Sequence, residues 1–242
     1  MTVYLVGAGP GDPGLITARG LELVRRCEVL VYDTLVAPEL VEEAPSEALR
    51  VSRAGLGQDS VNALLVGYGR EGLETVRLKG GDPFIFGRGS EEALALRDAG
   101  LSVEVVPGVS ALSAVPASIG VPLTHRGLSA QVTLVSGHSA SGAALDYRQL
   151  AAAPGTLVVF MGLSHLREIT AGLLAAGRDP HTPAAVISRG TCPEAASVQA
   201  ELHELAELAA ELASPALLVV GEAVALGAEL GALLAAASYA GS

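Results

Sequence analysis

Val3-Tyr4-Leu5-Val6-Gly7-Ala8-Gly9-Pro10-Gly11-Asp12-Pro13 is the stretch that decides the fold class. A short β-type run passes straight into a glycine-rich turn, and a helical segment follows. Glycines at the carboxyl end of a strand let the backbone approach a ligand closely. Working outward, the same succession recurs along the chain. Strand candidates fall at Val29–Tyr32, Leu49–Ser52, Thr75–Leu78 and Val103–Val106, and then at Val132–Val135, Thr156–Phe160, Ala184–Ile187 and Ala216–Val220. Between them lie helical stripes such as Val61, Leu64, Leu65 and Tyr68, or Leu202, Leu205, Leu208 and Leu212. This alternation predicts an α/β protein with largely parallel sheets.

The two strand series are separated by Pro107, Gly108, Pro116, Gly120, Pro122 and Gly127, a density that interrupts regular structure and suits a hinge. A boundary near residue 120 gives two α/β domains, 1–119 and 120–242, each large enough for its own core. The alanine-rich end of the chain reads as a frayed helix.

Composition narrows the function classes. The chain has 242 residues, 50% of them hydrophobic and 17% charged, which excludes a disordered protein. With 15 Lys+Arg against 26 Asp+Glu the net charge is −11, which disfavours nucleic acid or an anionic membrane as partner. A small anionic ligand held by a local group of arginines is still compatible. Mean hydropathy is +0.46, but the most apolar stretch, Leu217 to Ala237, is broken by Glu222, Glu229 and three glycines, whereas a spanning helix needs about 20 apolar residues in succession. The N-terminus lacks a basic leader and the only cysteines are Cys27 and Cys192. These features predict a cytoplasmic protein.

Two motifs carry chemistry. Gly7 to Pro13 approaches the dinucleotide fingerprint G-x-G-x-x-G, with Asp33 at the end of the second strand where such folds keep a ribose-binding acid. The third glycine is replaced by Asp12, however, and two prolines stiffen the loop. A G-x-G-x-G reading, as in Rossmann-type methyltransferases, and a plain tight turn both stay open. The second motif is Lys79-Gly80-Gly81-Asp82-Pro83-Phe84-Ile85-Phe86-Gly87-Arg88-Gly89. It combines two glycines, a carboxylate and an apolar wall, which suits a cationic, partly aromatic ligand; a Gly-Asp-Pro turn with a hydrophobic plug is the alternative. His125, His138, His165, His181 and His203 show no metal-ligand spacing, and Ser136-Gly137-His138 contains no nucleophile elbow.

Read together, several segments are similar to the uroporphyrinogen-III C-methyltransferases of the tetrapyrrole methyltransferase family. They are Val6 to Pro13, Tyr32-Asp33, Arg77 to Gly89, Val105-Val106-Pro107-Gly108-Val109-Ser110-Ala111, Ile119-Gly120-Val121-Pro122-Leu123-Thr124-His125-Arg126-Gly127, Val135 to His138, Phe160-Met161-Gly162 and Arg189-Gly190-Thr191. They run in order over almost the whole chain. The resemblance implies a two-domain α/β enzyme, usually a homodimer, with its site in the interdomain cleft. Such enzymes move methyl groups from S-adenosylmethionine to C2 and C7 of uroporphyrinogen III, giving precorrin-2 on the way to sirohaem and cobalamin. A methyltransferase acting on a later precorrin, or a non-catalytic tetrapyrrole-binding protein, are the alternatives.

Carried over by position, Pro10, Gly80, Gly81, Asp82, Ile85, Ser110, Ala111, Met161 and Gly190 contact the methyl donor and Asp33 accepts a proton. Ser110 stands where the family has Thr, and retains the hydroxyl. The segment Val51-Ser52-Arg53-Ala54-Gly55-Leu56-Gly57-Gln58 departs from the family. It is shorter, and the lysine credited there with proton donation is missing. Arg53 is the nearest cation, but a guanidinium does not readily release a proton. Methyl transfer from a sulfonium needs no metal; it needs a carbon nucleophile in line with the methyl and a base for the departing proton. The substrate's eight carboxylates require cations, for which Arg53, Arg88, Arg126 and Arg189 are the candidates, with His125 beside them.

Overall fold

Residues 2–137 and 145–232 are described by the computed structural model. His138 and the alanine-rich tail from 233 onward lie outside the described residues. The chain forms two compact units, Met1–Ala111 and Leu112–Ser242.

In the first unit the elements are β1 (Thr2–Gly7), α1 (Ala18–Val24), β2 (Val29–Tyr32), α2 (Pro38–Glu42), β3 (Leu49–Ser52), α3 (Gln58–Glu71), β4 (Thr75–Lys79), α4 (Gly89–Asp98) and β5 (Ser102–Val106). The sheet order is β3-β2-β4-β1-β5, and every pairing is parallel. A parallel sheet needs cover on both faces, and the period-two alternation of its strands supplies two apolar surfaces. Val6, Leu30, Val76 and Leu78 pack with Leu23 and Val24 on one side. Val3, Leu5, Val29 and Val31 pack with Val61, Leu65 and Leu96 on the other. The helix α3 presents Val61 and Leu65 inward, carries Asp59 in its first turn and Arg70 in its last, and stops at Gly72, whose φ of 81° is the left-handed conformation that glycine adopts without strain.

The second unit begins within α5 (Ala111–Ala117) and continues through β6 (Val132–Ser136), α6 (Tyr147–Ala152), β7 (Thr156–Phe160), α7 (Leu166–Ala175), β8 (Pro183–Ser188), β9 (Ala196–Glu201), α8 (Leu202–Leu208) and β10 (Ala216–Val220). Its sheet order is β6-β7-β10-β8-β9. Leu157, Val159, Val186, Leu218 and Val220 form its core with Ile169, Leu173, Leu202 and Leu205.

Several sequence expectations change here. Parallel pairing holds throughout the first sheet, whereas in the second only β6 and β7 are parallel and the remaining three pairings are antiparallel. For β8 and β9 the reason is connection length: β8 returns as β9 after a seven-residue loop, too short for a parallel crossover. The strand β9 has no counterpart among the strand candidates, because Ala-Ser-Val-Gln-Ala-Glu is nowhere fully buried and lacks a clean apolar alternation. Division of the chain falls between Ala111 and Leu112 rather than near residue 120. The stretch read as a hinge holds α5, and Val115 packs so closely under Gly190 that a Cβ there would lie 2.6 Å from Val115 Cγ1. Leu208 is 56% exposed, so the buried stripe passes from Leu205 to Ala209 and Leu212 instead.

Candidate active site

Five parallel strands bring five loops to one edge of the first sheet: residues 8–12 after β1, Asp33 after β2, Arg53 after β3, residues 80–88 after β4 and 107–110 after β5. Three of these loops touch through glycines. A Cβ on Gly7 would lie 2.5 Å from Gly108 Cα and 2.6 Å from Gly81 O, and one on Gly108 would collide with Gly81 O. Gly9 and Gly81 exchange backbone hydrogen bonds, Gly81 N donating to Gly9 O at 2.7 Å and Gly9 N to Gly81 O at 3.3 Å. The glycines thus serve close backbone approach as well as ligand access.

Asp82 completes this seam. Its Oδ1 accepts from Phe84 N at 2.8 Å and its Oδ2 from Gly108 N at 3.0 Å. The carboxylate therefore fastens the loop after β4 to the loop after β5, a role its sequence context did not reveal. The loop after β4 continues through Ile85, half-buried, and through Phe84 and Phe86, which are 54% and 42% exposed. Pro10, Gly80, Ser110 and Ala111 are half-buried along the same edge.

Asp33 sits over a buried charge network. Arg77 Nη2 donates to Asp33 Oδ1, Gly80 N reaches Oδ2 at 3.3 Å, and Arg53 Nη1 stands 3.7 Å from Oδ1. Arg77 is completely buried and its Nε donates to Glu92 Oε1 at 3.1 Å. Lys79, the chain's single lysine, is buried too and straddles the Glu92 carboxylate, 3.0 Å from Oε1 and 2.9 Å from Oε2. Gln58 Nε2 donates to Glu92 Oε1 at 3.2 Å. Only the Oε1 contact of Lys79 has hydrogen-bond geometry, so Glu92 Oε2 and Gln58 Oε1 are buried without hydrogen bonds. Burial, and then the neighbouring Arg77, push the Lys79 pKa below its usual value, against the opposing pull of Glu92 and Asp33. Sequence reasoning missed Arg77, Glu92 and Gln58 as one network. The available signal was two charges at alternate positions of Thr75-Val76-Arg77-Leu78-Lys79, in a strand otherwise built for burial.

In the second unit β7 and β8 both run antiparallel to β10 and therefore parallel to each other and to β6. Their carboxyl ends carry Gly137, Met161 and Arg189-Gly190-Thr191. Gly137 N donates to Phe160 O at 2.6 Å. Among the described residues the non-glycine positions with positive φ are Phe86, Arg88, Met161, Arg189 and Thr191. All five fall in loops that the sequence motifs mark. Such conformations cost on the order of 1–3 kcal/mol each and collect at functional sites.

The tetrapyrrole (corrin/porphyrin) methylase family profile matches residues 2–206. The chain belongs to this family. A siroheme synthase of Sodalis glossinidius is 46% identical over 235 residues, 94% of this chain and 50% of that protein, so the methylase spans about half the length of the curated relatives it matches. A Thermus thermophilus uroporphyrin-III C-methyl transferase, solved in complex with S-adenyl homocysteine, is 42% identical with a TM-score of 0.83, covering 93% of this chain and all of that one. A cobalt precorrin-4 methyltransferase superposes with a TM-score of 0.86 at 27% identity, covering 92% and 95%.

The candidate substrate-binding residues of this methylase are drawn from both units. Arg53 lies beside Asp33. Arg88 folds back on Glu91, its Nε and Nη2 each donating at 2.8 Å. His125 and Arg126 are exposed on a turn closed by His125 N to Ser129 O at 2.9 Å. Lys79 does not stand in for the missing family lysine, because its ammonium is buried against Glu92. The oxygens of Asp33 are addressed by Arg77, Arg53 and Gly80 N. The fold gathers His181 and His203 around Glu201, an arrangement that spacing along the chain did not show. No described helix is long and apolar enough to cross a membrane.

Proposed function

We propose that this methylase transfers methyl groups from S-adenosylmethionine to C2 and C7 of uroporphyrinogen III, giving precorrin-2 for sirohaem or cobalamin synthesis. The observation that carries the reading is the likeness to the Thermus enzyme: 42% identity over 93% of this chain, in a structure that holds the demethylated donor. The cobalt precorrin-4 methyltransferase superposes as well, but at 27% identity. Backbone likeness is shared across the family, whereas substrate choice resides in side chains.

In this reading the glycine seam holds the donor, with Pro10, Gly80, Gly81, Asp82, Ile85, Ser110, Ala111, Met161 and Gly190 as its contacts. A pyrrole carbon attacks the sulfonium methyl; the carbon–carbon bond forms as the sulfur–carbon bond breaks, leaving a neutral thioether. The proton displaced from the substrate passes to Asp33, whose carboxylate Arg77 and Gly80 N hold in one orientation. Arg53, Arg88, Arg126 and His125 address the carboxylates of uroporphyrinogen III. The chain acts as a cytoplasmic homodimer and uses no metal in the reaction; its net charge of −11 supports a small-molecule partner over nucleic acid or a membrane surface.

The test is incubation with S-adenosylmethionine and uroporphyrinogen III, followed by mass spectrometry. One or two added methyls are expected. Methylation of a later precorrin alone would reassign the substrate, and binding without turnover would leave a tetrapyrrole-binding protein.

A further inference from the structure

The amino-terminal end of β8 lies at the opposite edge of the second sheet from the Arg189 loop. There the fold assembles His181, Glu201 and His203 from three segments: the loop before β8, the last residue of β9 and the first turn of α8. One ligand atom from each lies within 4.8 Å of the others. We propose that these residues bind a divalent cation of the zinc class and that the ion clasps the edge strand β9 to its neighbours.

The backbone beneath the cluster is fixed by hydrogen bonds independent of any ion. Pairing of β8 with β9 sets Glu201 opposite Pro183. Leu202 N donates to Thr182 O at 3.0 Å and His203 N to Pro180 O at 3.2 Å. His181 N donates to Asp179 Oδ1 at 2.9 Å. The three side chains therefore converge from a scaffold that does not have to be ordered by the metal, which limits the entropic cost of binding.

The side-chain geometry fits a small ion. His181 Nδ1 is 2.6 Å from Glu201 Oε2, and His203 Nδ1 is 3.4 Å from the same oxygen. A tetrahedral ion with ligand bonds of about 2.0–2.1 Å separates its ligand atoms by roughly 3.3 Å. All three side chains are substantially exposed, at 71%, 46% and 40%, so small rotations reach that spacing without disturbing packing. His203 Nδ1 also lies 3.1 Å from Pro180 O. Binding the ion through Nδ1 replaces this contact and leaves Nε2 to the outer shell. Nε2 is 3.8 Å from Glu204 Oε1, which adds a further oxygen at hand. Two imidazoles with a carboxylate suit zinc, nickel or copper and not calcium or magnesium.

The experiment is calorimetric titration of ZnCl₂ into the full chain, purified without a histidine tag and stripped with chelator, with MgCl₂ as the control. One zinc equivalent is expected, with no magnesium binding and a zinc-dependent rise in Tm. His181→Ala and His203→Ala should each weaken zinc at least about 10-fold, because losing a ligand costs no less than losing an outer-shell partner. His165→Ala, at a distant exposed position, should leave zinc affinity unchanged. All these residues are exposed, so the variants retain the fold. Absence of zinc binding, or unchanged affinity in the H181A/H203A double variant, overturns the proposal.

Discussion

The two sheets solve the burial problem differently. At the centre of the first, β4 places Arg77 and Lys79 wholly inside the protein, balanced by Glu92 and Asp33. At the centre of the second, β10 offers Leu217, Leu218, Val219 and Val220, and among the described residues of that unit the buried polar ones are the uncharged Ser129, Thr156, Thr170, Thr182 and Ser188. Burying three charges with a fourth, Asp33, half-buried beside them is expensive, and well-packed apolar residues would often stabilise as well or better. The charges sit where they hold Asp33 in a fixed orientation at the strand ends. The first unit thus gives up packing stability at the place where the proposed reaction needs a positioned carboxylate, whereas the second, with no such group at its centre, packs like an ordinary core.

Breaking the network should give the largest effect. Glu92→Gln leaves Arg77 and Lys79 buried with half their counter-charge, and a loss of about 3–5 kcal/mol is expected in urea unfolding. The volume-conserving Leu218→Met in the second unit should cost less than about 1.5 kcal/mol. Equal costs would erase the contrast between the two units.

Next in size is Asp33→Asn, which keeps shape and removes most basicity. Methylation should fall by about 100-fold or more, with S-adenosylmethionine affinity near normal by calorimetry. Weakened donor binding with little loss of rate at saturating donor would return Asp33 to a ribose-binding role.

Asp82→Ala should weaken donor binding and loosen the seam, by about 1.5–3 kcal/mol, because two backbone N–H groups lose a charged acceptor. Faster amide exchange at Phe84 and Gly108 would locate the loss in the loops. Unchanged affinity and unchanged exchange would remove Asp82 from the site.

Cys27 sharpens the comparison at alkaline pH. Burial raises its thiol pKa to about 11 from 9.0. Between those values the folded state holds a proton that the unfolded state has lost, so stability present below pH 9 falls as pH rises toward 11. Cys27→Ala should flatten that alkaline limb by about 1–2 kcal/mol near pH 10.5, given 1.36 kcal/mol per pKa unit. An unaltered limb would assign it to other groups.

The smallest change is expected from Arg53→Lys. The Arg53–Asp33 pair is partly exposed and long, at 3.7 Å, and such pairs contribute under about 1 kcal/mol. Methylation should persist, since an ammonium restores the family's cation at that position. A severe loss of rate would show that Arg53 works through planar carboxylate binding.

Local sequence carried much of this protein. Alternation in Val3 to Val6 and its repeats marks the strands, glycines after them mark the loops, and the motifs from Gly7 to Thr191 mark the family, because strand period, turn chemistry and close backbone approach are all set by near neighbours. Tertiary structure alone decided the rest. Strand direction in the second sheet depends on which distant edges pair, and nothing in Ala196–Glu201 announces that it will lie against β8. Asp33, Arg77 and Glu92 meet only when β2, β4 and α4 pack, and His181 meets Glu201 and His203 only through the β8–β9 register. Charges far apart in the chain acquire their partners from the fold, and a charge pattern read along one dimension does not contain that pairing.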